Sequence, residues 1–181
     1  MMRTKSYIIL IVLAAFAAQG ACSKTNRTTN NPGSAQSQTT QKESPAALPD
    51  EAFKAYITLD DPPAKLRTSE PVVVQVRFRN DSPVFWWSRG GPTNTRPDNK
   101  FYIAAGNRWL KSDGSLLTSM DGRYGISKDL KPGEENEVPL KITAPKDAGE
   151  YILEVDLVQE GVAWFSDKGS PTARTKVTVV K

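Results

Sequence analysis

From Ala52 onward the apolar residues recur at every second position. In PVVVQVRFRN, Val72, Val74, Val76 and Phe78 share one face while Gln75, Arg77 and Arg79 take the other. EVPLKITAP alternates Val138, Leu140, Ile142 and Ala144 with Pro139, Lys141 and Thr143. EYILEVDLV places Tyr151, Leu153, Val155 and Leu157 together, and ARTKVTVVK does the same with Ala173, Thr175, Val177 and Val179. A period of two over such lengths predicts half-buried antiparallel strands. LKPGEE and APKDAGEY supply Pro/Gly turns between them, and no window carries a helical stripe. The expected fold class is all-β, an antiparallel β-sandwich over residues 52–181. Pro139 cannot donate to a ladder, so its strand should lie at a sheet edge. Alternation is poor between Pro83 and Gly125, where Gly90-Gly91-Pro92, Asp113-Gly114 and Asp121-Gly122 predict a long, loop-rich crossover.

The first fifty residues follow other rules. Arg3 and Lys5 precede an unbroken apolar run from Tyr7 to Ala18. As a helix this run rises only about 18 Å, short of the ~30 Å hydrocarbon core, so it reads as a secretory signal helix over residues 1–21. Gly20-Ala21-Cys22 then resembles the end of a bacterial lipoprotein signal, in which a small residue precedes a cysteine that is acylated (diacylglyceryl, with a palmitate-type chain) and becomes the mature N-terminus. Gln19 departs from the aliphatic residue usual at that place. The alternative is an ordinary signal peptide cleaved at the small residues, leaving a free thiol. The resemblance implies lipid attachment at Cys22 and membrane anchoring in the cell envelope. With Ser23 following, it implies the outer membrane where the host has two. Residues 22–51 are Ser, Thr, Asn, Gln and Pro with almost nothing apolar, a flexible polar linker that spaces the domain from the membrane.

Charge and rare residues narrow the chemistry. The net charge is +4, with Lys and Arg interleaved with Asp and Glu, so the sequence offers no run of like charge and no nucleic-acid partner is expected. The chain has no histidine, and its one cysteine is Cys22. Ser-His and Cys-His nucleophile pairs are thereby excluded; no metal site and no cofactor are expected. Acid–base work by paired carboxylates needs no histidine, and Asp156 with Glu160 or Asp113 with Asp121 are the available pairs. An internal ion pair and Asp-Gly turn chemistry account for the same residues without catalysis.

Four aromatic positions are candidate ligand-binding residues. Trp86 and Trp87 in VFWWS are adjacent, so in a strand only one faces the core. Trp164 and Phe165 follow the Glu160-Gly161 turn. One of them should fold back over the open end of the sandwich near Trp109, the other should lie at the rim. Asp156 stands at outward parity between Ile152 and Val158, which predicts a covered face and a cation beside the carboxylate; Arg123 is the expected partner of a structural ion pair.

DAGEY, Asp147 to Tyr151, resembles the tyrosine corner of immunoglobulin-like folds. The whole of residues 70–180 resembles immunoglobulin-like modules appended to bacterial glycosyltransferases and methyltransferases. The likeness rests on Trp109, Asp113-Gly114, Asp121-Gly122-Arg123, Pro132-Gly133-Glu134, Ala144-Pro145, Tyr151, Asp156-Leu157-Val158, Glu160-Gly161 and Trp164-Phe165. It implies an accessory β-sandwich without catalytic residues. The function expected is therefore a membrane-anchored, extracytoplasmic binding or interaction module for an envelope glycan or a partner protein. The alternatives are a carboxylate-dependent glycan-active enzyme and a purely structural envelope component.

Overall fold

The structure, a computed structural model, describes residues 44–91, 97–118 and 121–181. Cys22, the apolar run and most of the polar tract lie outside the described residues.

Among the described residues ten strands follow in chain order: β1 (Ala55–Asp60), β2 (Lys65–Arg67), β3 (Pro71–Asn80), β4 (Ile103–Lys111), β5 (Leu116–Thr118), β6 (Arg123–Gly125), β7 (Glu135–Thr143), β8 (Gly149–Gln159), β9 (Ala163–Trp164) and β10 (Ala173–Val180). One sheet has the order β1-β3-β7; the other runs β2-β10-β8-β4-β5, with β6 on β4 and β9 on β8. All pairings are antiparallel except β2 with β10. Pro62 and Pro63 break the chain between β1 and β2 and carry it from one sheet to the other. This is an immunoglobulin-like sandwich, with β3 and β7 opposite β4, β8 and β10.

The alternation of the sequence becomes the core. Val74, Val76 and Phe78 face Leu153, Val155 and Leu157, with Val138, Leu140, Ile142, Val177 and Val179 completing the layer. An immunoglobulin domain ties its sheets with a disulfide whose second cysteine stands two residues after the corner tyrosine. Here that place holds Leu153, fully buried, so packing takes the place of the disulfide between the sheets. Tyr151 donates its hydroxyl hydrogen to the Asp147 carbonyl at 3.0 Å, the geometry of a tyrosine corner. Tyr151→Phe is expected to lower stability by about 0.5–1.5 kcal/mol, the net value of one hydrogen bond. Urea denaturation with an unshifted midpoint would count against it.

Two features depart from the sequence reading. The crossover is not all loop: β4 is an interior strand of the larger sheet, paired with β8 along its whole length. Its residues IAAGNRWLK are buried on both faces, so they show no period of two. β4 also supplies the core tryptophan of the fold's third strand, Trp109, whose indole N–H donates to the Thr143 carbonyl at 2.8 Å. The second departure is at the linker. Gln159, fully buried, donates to the Ala46 carbonyl at 2.7 Å and accepts from the Leu48 amide at 2.9 Å. Leu48 packs on the core, so the folded unit begins before Ala52.

β7 is an edge strand, as Pro139 predicts. Its open side is covered by the chain after β5. Asp121 accepts from the Thr143 amide, and Asn136 accepts from the Ser127 amide at 2.9 Å. Gly122 lies so close that a Cβ there would stand 2.2 Å from the Lys141 carbonyl oxygen.

Candidate binding surface

The outward side of β8 carries Glu154, Asp156 and Val158, Glu160 follows directly after its end, and all four are buried. Three carboxylates in one row need a roof and counter-charges. The roof is the hairpin after β8: Gly161, at φ 71°, reverses the chain, and β9 pairs back with Trp164 beside Val158. A short 3-10 turn (Ser166–Lys168) then crosses the sheet. Paired residues share a face, so Trp164 lies over the same outward surface.

Each carboxylate has its own partner. Glu154 receives Arg174 at 2.7 Å, with Arg108 at 3.6 Å. Asp156 accepts from the Leu157 amide at 2.8 Å and the Ser166 amide at 3.1 Å. Glu160 faces Arg123 at 3.1 Å, and both side chains are nearly sealed from water. The expected Arg123–Asp156 pair is therefore replaced by Arg123–Glu160. The register does set Arg123 level with Asp156, through Gly106 on the strand between them. The Ser166 amide, however, already occupies the Asp156 carboxylate, and Arg123 reaches along the face to Glu160.

Both Arg108 and Arg123 place their guanidinium carbons 4.1 Å from the Trp164 ring centroid. Two cations at that height cannot share one face of a ring, so the indole is held between them. Gly106 makes room for this stack, because a Cβ there would stand 1.8 Å from Arg123 Nη1. The pair is not fully satisfied: Arg123 Nε and Nη1 and Glu160 Oε1 make no hydrogen bond. Burial raises the pKa of Asp156 and, against the pull of Arg123, that of Glu160. The folded chain thus binds these protons more tightly than the unfolded chain does. Their contribution to stability falls as pH rises from the ordinary carboxylate range through the raised values. Asp156→Asn is expected to flatten the decline of the urea midpoint as pH rises above the ordinary carboxylate range. An unchanged slope would rule Asp156 out as its source.

The predicted aromatic residues separate cleanly. Trp86 is fully buried, makes a single bridge with Leu130 and donates its indole N–H to the Ala52 carbonyl at 3.1 Å. Phe165 is also fully buried, edge-on to Phe53 at 5.0 Å and to Trp86 at 5.1 Å. Neither reaches a ligand without opening the core, so both leave the set of binding candidates. Phe165 is the residue that folds back, but onto Phe53 and Trp86 rather than near Trp109, whose ring neighbour is Tyr151. Trp87 is half-buried against Phe85 at 4.7 Å, and Trp164 is half-buried with its faces taken by arginine. Asp113 caps its own turn at the Ser115 amide, 2.8 Å away, and Asp121 holds β7, so these two carboxylates do not converge as a pair. Among the described residues no cluster of three or more metal-ligating side chains occurs.

Two open grooves flank β5. One, of about 450 Å³, lies against Trp109, Leu117, Thr118, Lys146 and Tyr151. The other, of about 370 Å³, lies on the outward face against Arg108, Leu116, Glu154, Trp164 and Arg174. Sequence reasoning missed Gly106, Arg108 and Glu154. The signal for Glu154 was its alternation with Asp156 on one face of an otherwise apolar strand.

No protein-family model matches the chain, and no curated protein matches it significantly. Solved structures do. The CARDB domain of a Pyrococcus furiosus protein, in complex with di-metal ions, is 16% identical with a TM-score of 0.39, covering 70% of this chain and 86% of that one. Spo0M, the sporulation control protein of Bacillus subtilis, is 15% identical with a TM-score of 0.37, covering 71% and 49%. A family 123 glycoside hydrolase from Clostridium perfringens is 5% identical with a TM-score of 0.31, covering 70% and 27%.

Proposed function

We propose that this chain is an extracytoplasmic lipoprotein, anchored in an envelope membrane through Cys22, whose immunoglobulin-like domain is a non-catalytic binding module for an envelope glycan or partner protein. The anchor rests on the apolar run ending in Gly20-Ala21-Cys22. The binding role rests on one structural observation: the buried charges of the outward face are engaged with one another and with backbone amides. Glu154, Asp156 and Glu160 serve to hold the β8–β9 hairpin in place, which leaves the surface grooves and exposed charges as the parts free to meet a ligand.

Expression of the full chain with a labelled fatty acid tests the anchor. Wild type should carry label and sediment with membranes, and Cys22→Ser should do neither. Label or membrane association retained in Cys22→Ser would overturn it. Cross-linking of the wild-type protein in intact envelopes tests the binding role. Capture of a glycan or a protein partner is expected, and a protein that cross-links to nothing would overturn that reading.

A further inference from the structure

The cations of the two outer faces are arranged differently. On the β1-β3-β7 sheet, Arg77 is paired with both Asp60 and Glu137, and Arg79 with Asp81. On the other sheet, β10 turns Val177 and Val179 inward and β2 turns Leu66 inward. Arg174, Lys176, Lys65 and Arg67 therefore point outward, and all four are exposed. The parallel register sets Thr178 beside Lys65 and Val180 beside Arg67. Arg174 and Lys176 on β10 are thus continued by Lys65 and Arg67 on β2. With same-face residues about 6.6 Å apart, the four cations form a single file roughly 20 Å long. They come from sequence positions a hundred residues apart, so no run of like charge announces them.

The surrounding acids offset this row at Arg174 alone, and there only in part. Glu154 takes Arg174 at 2.7 Å but is shared with Arg108. Glu70 is engaged by the Arg67 backbone amide at 2.6 Å. Glu150 is exposed across from Thr178. Lys65, Arg67 and Lys176 carry no ion pair among the described residues.

We propose that this file is the ligand-binding surface of the module and that its ligand is a linear anionic polysaccharide of the envelope, carrying carboxylates or phosphodiesters at regular intervals. The inference rests on the binding-module reading and names its ligand class. A single file two strands wide fits a polymer lying along the sheet edge. A membrane plane would call for cations spread over the face, where β8 and β4 instead present Glu150 and Ile152 and the Trp164 hairpin. Regular spacing with long, flexible side chains suits a repeating charge; an acidic peptide would call for side-chain pockets along the row.

The test uses the full-length protein in non-ionic detergent with fluorescent polygalacturonate, poly(glycerol phosphate), neutral dextran and oligo(dT). One or both anionic glycans should bind at low salt, weakening as salt rises, and the one retained identifies the anion. Lys65→Gln/Lys176→Gln should weaken that binding by about thirtyfold. Lys54→Gln/Lys141→Gln, which removes the same charge elsewhere, should leave it unchanged, with equal melting temperatures for all three proteins. Equal loss in both double variants, equal binding of dextran, or oligo(dT) bound as tightly as the glycans would each overturn the proposal. If neither glycan binds while envelope cross-linking still captures a partner, the ligand assignment fails and the binding-module reading stands. If both fail, the reading falls as well.

Discussion

Phe165→Ala is expected to lower the domain's stability by about 3–5 kcal/mol, the usual loss when a buried aromatic side chain is truncated. The ring is fully buried between Phe53 and Trp86, which are themselves buried, so the void would have rigid walls on two sides. The backbone there has a second task. The Phe165 amide donates to the Leu157 carbonyl at 2.9 Å and so lays the hairpin onto β8. Its neighbour should behave differently. Trp164 is half-buried and meets two guanidinium groups, so Trp164→Ala should lose about 1–2 kcal/mol, the scale of desolvated cation–π contacts. Urea denaturation of the two variants makes the comparison. A wild-type midpoint for Phe165→Ala, or a larger loss for Trp164→Ala, would refute the assignment of Phe165 to the core and Trp164 to the clamp.

β3, β7 and β10 were readable because each has one wet face, and β8 because its covered face alternates carboxylates with the core residues. β3, β7, β8 and β10 carry their core residues at the expected parity, and Tyr151 and Pro139 fall at the corner and edge that their chemistry requires. β4 was not readable for the same physical reason. Its outward residue Gly106 lies under the Arg123 and Trp164 side chains and Ala104 beside it is buried, so small residues replace polar ones and the period disappears. In VFWWS one tryptophan does face the core, but Trp86 is held by a single bridge and the central core tryptophan is Trp109. The covered carboxylate was readable from Ile152 and Val158 on either side of Asp156. Its partner was not, because a backbone amide can satisfy a carboxylate as well as a cation can, and no pattern of side chains records a backbone contact. The cationic file escaped for a related reason: it exists only once β2 is laid parallel to β10.

Arg123→Met should have the other large effect, about 3–5 kcal/mol at neutral pH, because it leaves Glu160 buried and charged with no counter-ion. Methionine keeps much of the packing against Gly106 and Trp164, so the loss reports charge more than volume. The sign of the pH dependence follows from Glu160, whose pKa burial already raises although Arg123 pulls it down. Removing Arg123 raises it further. The deficit should therefore be greatest at neutral pH and shrink in acid, as Glu160 takes up a proton and becomes neutral. Arg123→Met/Glu160→Gln should recover most of the stability at neutral pH, since a buried ion pair replaced as a whole is often close to neutral. Urea midpoints of the three proteins at pH 5 and pH 7 decide the matter. A deficit that does not change with pH, together with a double variant no more stable than the single one, would show that Arg123 acts through packing alone and that its charge holds nothing at Glu160.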